Sequence, residues 1–134
     1  MTVSPAAFAQ AASALVGAPF RLRGRDPATG LDCIGLVAAA LDRCGAPTRD
    51  LPRYELRNTD IDKLLHLLPE SGFSAAEGEL ATGDLLLTRP AAAQHHLAIA
   101  IDGDRFVHAH AGLGRVVATP APLAWPAIAR WRLT

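Results

Sequence analysis

The chain is short of aromatic residues, which make up 5% of its 134 positions, and neither sign of charge is in excess. Thirteen Lys and Arg balance thirteen Asp and Glu. Without a basic surplus there is no electrostatic case for nucleic acid or an anionic membrane as partner. Arg21, Arg23 and Arg25 do cluster, but Asp26 follows them. Phosphate sites carry a glycine-rich cradle or a larger basic patch, so this cluster reads as a solvated loop. No apolar run reaches the ~18 residues that a membrane-spanning helix needs. The N-terminus has neither the basic segment nor the long apolar core of a signal peptide. The expectation is therefore synthesis in the cytoplasm, or export without an N-terminal signal. Cysteine is scarce too, with only Cys33 and Cys44. They fall at opposite ends of one predicted helix, about 16 Å apart at ~1.5 Å per residue. A disulfide needs Cα atoms within about 7 Å, so none is expected. Cys44 then reads as a small hydrophobe.

What is present suits a compact core of small side chains. Half of the residues are hydrophobic, and alanine is abundant. The length is that of one domain, 1–134. Ser4 and Pro5 open a first helix as N-cap and N1, and Gly17 stops it. An irregular loop runs from Pro19 to Gly30. Asp32 caps a second helix from Cys33 to Cys44, with Gly45 just past its end and Pro47 barring continuation. Thr59-Asp60-Ile61-Asp62 resembles a capping box leading a short helix through Leu64, Leu65 and Leu68, closed by Pro69 and Gly72. His66 on that helix is expected at the surface. Beyond Gly72 the pattern changes to short runs rich in Ile, Val, Leu, Phe or Trp at 84–88, 96–101, 105–110, 114–118 and 127–133, bounded by Gly, Pro and Asp. Helices first and strands afterwards predict an α+β domain, its N-terminal helices packed on an antiparallel β-sheet.

The chemistry-bearing residues are a thiol and histidines. Cys33 sits at a helix start, where unpaired N–H groups and the helix dipole favour a thiolate and can hold an oxyanion. Asp32 opposes the thiolate by like charge. His96 heads the strand His96-Leu97-Ala98-Ile99-Ala100-Ile101, and His108 lies in Arg105-Phe106-Val107-His108-Ala109. The first can serve as base and the second can fix its tautomer. Against this, a helix-start cysteine is often structural, and strand histidines are often only satisfied polar residues. Cys33 with His95, His96, His108 and His110 also admits a zinc site. The spacing lacks the Cys-x-x-Cys or His-x-x-x-His pairs that make such a site specific.

Several of these stretches together resemble the NlpC/P60 family of papain-like cysteine peptidases. The matching segments are Asp32-Cys33-Ile34-Gly35-Leu36-Val37, Leu51-Pro52-Arg53, Leu80-Ala81-Thr82-Gly83-Asp84-Leu85, His96-Leu97-Ala98-Ile99-Ala100 and Phe106-Val107-His108-Ala109. They occur in the family's order. The resemblance implies the papain-like fold, Cys33 as nucleophile, His96 as base and His108 as the third polar residue. It implies hydrolysis of peptidoglycan stem peptides at a γ-D-glutamyl–diamino-acid type of bond, with no cofactor and no metal. By the same resemblance Phe20, Asp32 and Ile34 would line the substrate site. Phe20 stands where the family usually has Tyr, Ile34 where it has Ser, and Leu22-Arg23-Gly24 where it has Trp-Gly-Gly. The recognition surface thus departs more than the chemistry does. Bare domains of this type resemble the wall peptidases of phage tails and gene-transfer agents, which makes phage-like tail proteins candidate partners. A CHAP-like amidase and a non-catalytic tail assembly module on the same fold remain alternatives.

The turn Asp102-Gly103-Asp104 carries one geometric expectation. A regular two-residue hairpin would pair 101 with 104 and put His96 and His108 on opposite faces. For the two to cooperate, opposed residue numbers must sum to 206, which needs a three-residue loop or an equivalent bulge. That register leaves His110 as the competitor for His108 and turns His95 to the other face.

Overall fold

Ser4 caps helix α1 (Pro5–Ala14) by accepting the Ala7 N–H at 3.0 Å. In this computed structural model, residues 3–45, 65–91 and 94–134 are described. The expectations for Leu51-Pro52-Arg53 and for the capping box at Thr59 lie outside those residues. After a turn at 15–17, two short strands, β1 (Arg25–Asp26) and β2 (Gly30–Leu31), form a small hairpin. Helix α2 (Cys33–Arg43) follows, with Asp32 as N-cap and Cys44 as C-cap. Gly45 adopts φ +79°, the left-handed conformation that ends helices without a Cβ penalty. Residues 65–70 are helical, with His66 exposed, as the sequence suggests. The helix runs one residue past Pro69 and is closed by Gly72 at φ +95°.

The remaining strands are β3 (Phe73–Ala75), β4 (Leu85–Ala91), β5 (Gln94–Asp102), β6 (Arg105–His110), β7 (Arg115–Pro120) and β8 (Ala127–Leu133). They form one antiparallel sheet in the order β3-β8-β4-β5-β6-β7. The five predicted strand runs are all present within a few residues. The β1–β2 hairpin and β3 were not anticipated.

Alternation along the strands divides the sheet's faces. Leu85, Leu87, Leu97, Ile99, Val107, Ala109 and Val116 join Phe8, Ala12, Leu36, Val37 and Leu41 of the helices in the main core. Phe8 meets Phe73 edge-on at 5.5 Å, a contact worth about 0.5–1.5 kcal/mol beyond burial. Leu86, Ala98, Ala100 and Phe106 form a smaller cluster on the opposite face, covered by Leu123. His96 and His108 share that second face. Registered pairs Ile99↔Val107 and Ala100↔Phe106 both sum to 206, and a bulge between Ala100 and Asp102 sets this register. The turn itself is two residues long, closed by Asp102↔Arg105, so the bulge supplies the extra residue.

Two glycines bring the loop onto the helix. A Cβ at Gly35, in the first turn of α2, would drive into the Gly24 carbonyl, and one at Gly24 into the Gly30 carbonyl. Only glycine permits this approach. It seats the 21–31 loop over the helix start, beside the thiol.

Candidate active site

The site lies where the first turn of α2 meets the open end of the β5–β6 hairpin. The paired register of that hairpin stops at Ile99↔Val107. Beyond it the Leu97 N–H faces the Cys33 thiol, as do the N–H groups of Ile34 and Cys33 itself. These donors are what a helix start offers to an anionic sulfur or oxygen. A cavity of about 390 Å³ opens here. Cys33, His96 and His108 all border it, with Phe20, Asp32 and Ile34. All six residues singled out in the sequence therefore meet in one place.

The histidines form a chain. His96 Nε2 lies 3.0 Å from His108 Nδ1, and His108 Nε2 lies 3.2 Å from Thr119 Oγ1. With Nε2 so engaged, Nδ1 is the His96 nitrogen left for the thiol. His96 Nε2 meets His108 rather than His110, whose Nδ1 accepts the Leu113 N–H at 3.0 Å. His95 also borders the cavity, its Nδ1 buried and without a hydrogen-bond partner. Trp125 stands edge-on to His96 at 5.3 Å and to His108 at 6.4 Å. It belongs to the 121–126 segment that covers this face of the sheet.

Electrostatics here run against charge. Burial pushes the Cys33 thiol up to about 12, and the Asp32 carboxylate adds to the rise. The three backbone N–H groups pull it down but do not outweigh burial. Burial also pushes His96 down to about 4, helped by repulsion from His108 and His110. His108 is lowered for the same reasons, burial first and His110 second. Both shifts favour a neutral thiol and a neutral imidazole as the resting pair. Desolvation thus opposes the thiolate that the helix start alone would favour.

Asp32 is structural as well as adjacent. Its Oδ1 accepts the Gly35 N–H and its Oδ2 the Arg23 N–H, each at 2.8 Å, and it is 6% exposed. It caps α2 and pins the loop across the helix start. Ile34 reaches the cavity wall while its side chain is 1% exposed in the main core. Phe20 is half-buried, and with Leu22, Pro90 and Trp125 it makes much of the wall apolar. Thr119 and Trp125 were not anticipated. The predicted strand 114–118 stopped one residue short of Thr119. Carried on from His108↔Val117, the β6–β7 register places Thr119 on the face of His108. Trp125 sits in an irregular stretch and had no sequence signal beyond being one of two tryptophans. Among the described residues, no group of three His, Cys, Asp or Glu side chains is arranged to hold a metal ion. No helix among them is long and apolar enough to cross a membrane.

Helices on one face of an antiparallel sheet, with a helix-start thiol and strand histidines on one cavity, define the papain-like α+β class. Within it the chain belongs to the NlpC/P60 family, whose model matches residues 17–125. That family is typically one of cysteine peptidases and peptidoglycan hydrolases. No protein of curated function matches the sequence. Among solved structures, the NlpC/P60 domain of the peptidoglycan hydrolase SagA superposes with a TM-score of 0.65 at 24% identity, over 98% of this chain and 100% of that one. NlpC1 of Trichomonas vaginalis gives 0.69 at 17% identity, over 95% of this chain and 44% of that one. An NLP/P60 family protein of Staphylococcus aureus gives 0.62 at 23% identity, over 96% and 41%. The chain thus spans less than half of the last two proteins. At these identities the likeness is one of fold.

Proposed function

We propose that this protein is a cysteine peptidase that hydrolyses peptidoglycan stem peptides, at a γ-D-glutamyl–diamino-acid type of bond. The observation that carries the reading is the meeting of Cys33 with the hydrogen-bonded His96–His108 pair on one cavity. In the proposed reaction the thiol proton passes to His96 Nδ1 as sulfur attacks the acyl carbon. The N–H groups at the start of α2 take the developing oxyanion. His96 then gives the proton to the leaving amine, which departs and leaves a thioester on Cys33. Water, losing a proton to His96, hydrolyses the thioester and restores the thiol. Because the resting pair is neutral, the proton moves during attack rather than beforehand. Delivery by a phage-like tail, implied by the resemblance, belongs to the same proposal, and mass spectrometry of purified tail particles tests it.

Digestion of purified peptidoglycan by the wild-type protein and by Cys33→Ala, with mass spectrometry of the products, tests the reaction. Fragments ending at the γ-D-glutamyl residue, absent with Cys33→Ala, are expected. Intact stem peptides released from the glycan would instead favour an amidase. Identical product sets from both proteins would sink the reading.

A further inference from the structure

We propose that Thr119 is a positioning residue, the terminal acceptor of a proton chain that runs from Cys33 through His96 and His108. The inference rests on the reading of Cys33 and His96 as the reacting pair and extends it by one residue. His108 is 4% exposed, so its ring nitrogens depend on protein partners. They have two: His96 Nε2 at 3.0 Å from Nδ1 and Thr119 Oγ1 at 3.2 Å from Nε2.

The direction of the chain follows from charge. Once His96 has taken the thiol proton, both of its ring nitrogens carry hydrogen and can only donate. Its Nε2–H then donates to His108 Nδ1. A neutral His108 accepting at Nδ1 carries its own hydrogen on Nε2, and that hydrogen donates to Thr119 Oγ1. Thr119 is half-buried, at the solvent side of the chain from the thiol. No bond to carbon or sulfur changes in this part of the chain. One proton arrives at His96 Nδ1, and the two N–H donors behind it shorten toward their acceptors. If Thr119 could not accept, His108 would lose the reason to hold its hydrogen on Nε2. The reversed chain, with His108 Nδ1–H donating to His96 Nε2, puts the His96 hydrogen on Nδ1. That nitrogen could not then receive the thiol proton. By accepting at Oγ1, Thr119 supports the arrangement in which His96 is a base, which the charge on His96 imposes once it holds the thiol proton. The site is carried by geometry, and the low pKa of His96 only makes the selection matter more, since the ring spends its resting time neutral.

The test uses Thr119→Val, which keeps shape and removes the acceptor, and Thr119→Ser, which keeps the hydroxyl. On peptidoglycan fragments, Thr119→Val is expected to lower kcat by about 10- to 100-fold, the scale of one buried donor left without its acceptor, and KM little. The acidic limb of the pH profile should move to lower pH, because the His96 cation is less well supported. Thr119→Ser should restore most of kcat and the limb. A role confined to strand packing would move the melting temperature instead, and serine would not rescue it. A second measurement needs no activity. Two-bond ¹H–¹⁵N correlations on ¹⁵N-histidine-labelled protein report which ring nitrogen holds the hydrogen. In the wild type His96 and His108 should both be Nε2–H, with His108 shifting toward Nδ1–H in Thr119→Val. Hydrogen on His108 Nδ1 in the wild type, or an unchanged kcat and pH profile in a folded Thr119→Val protein, would overturn the proposal. Should the wild type fail to cut peptidoglycan, the functional reading falls, while the tautomers still decide the chain's direction.

Discussion

Two buried polar clusters sit on the same sheet and resolve their burial in opposite ways. At the start of β4, Asp84 is fully buried beside Arg130 and Arg132 of β8. Arg132 reaches it at 2.7 and 3.0 Å, Arg130 at 2.9 Å, and the Ala81 N–H at 2.9 Å. Burial alone would raise this carboxyl, but the Arg132 bonds, the Ala81 N–H and Arg130 hold it below the usual carboxylate range. The arginines also reach the carbonyls of Gly78 and Glu79, so the cluster ties the 76–84 segment to the sheet. At the open end of β5 and β6 the opposite holds. At that end Cys33 and His96 are half-buried and His108 is buried, with no cation–anion partner among them, and desolvation drives both thiol and imidazoles toward their neutral forms. A cluster in which a carboxylate is paired with two guanidiniums is fixed in protonation. A charge-starved one has protons that can move, which is what nucleophilic chemistry uses.

The largest expected effect falls on the second cluster. Cys33→Ala should lower the rate on peptidoglycan by roughly 10⁴-fold or more while leaving the fold intact, as removal of a nucleophile does. Parallel kinetics and circular dichroism check it. Asp84→Asn should do the reverse, costing about 3 kcal/mol of stability with little effect on chemistry at temperatures where the protein stays folded. That sits at the low end for one lost partner of a buried ion pair, because water reaches both arginines. Denaturant melts measure it. The two clusters also separate by pH. Asp84 has a lowered folded pKa, so its stabilisation is present above the ordinary 3.8 and is lost as pH falls through the folded value. His96 is lowered from 6.5 to about 4, so the unfolded state takes up its proton first and stability falls as pH drops across that window. Melting temperature against pH should therefore decline in two stages, the upper one flattened in His96→Gln and the lower one in Asp84→Asn.

Smaller changes sharpen the contrast. Trp125→Ala opens the histidine pair to water, which should raise the His96 pKa toward 6.5 and carry the acidic limb of kcat/KM up with it. An unmoved limb would mean that Trp125 does not shield the pair. Asp32→Ala removes the α2 cap, at about 1 kcal/mol. It also removes the like charge beside Cys33, so alkylation of the thiol by iodoacetamide should become faster even as the melting temperature falls.

Much of this was legible because it is written in local chemistry. Ser4 and Asp32 announce helix starts through their own hydrogen bonds, and Gly17 and Gly45 announce the ends. The demand that His96 and His108 share a face was enough to require a three-residue loop or an equivalent bulge, and the chain uses a bulge, between Ala100 and Asp102. What was hidden depends on tertiary neighbours. β1 and β2 are two residues each and have no alternation to read. Thr119 gains meaning only from a register that runs one residue past its apolar run. Trp125 reaches the histidines through an irregular segment whose path no local pattern sets. The neutral resting pair was hidden for the same reason. A helix start and nearby histidines suggest a thiolate, and only the packing around them reveals the desolvation that opposes it.

Burial favours a neutral Cys33–His96 pair in this pocket. NMR titration of the His96 ring in the substrate-free wild-type protein measures it. The midpoint is expected near 4, with the ring neutral throughout the neutral range. A midpoint at or above 6.5, shared with a thiolate forming on Cys33 in the same range, would show a resting ion pair and contradict it.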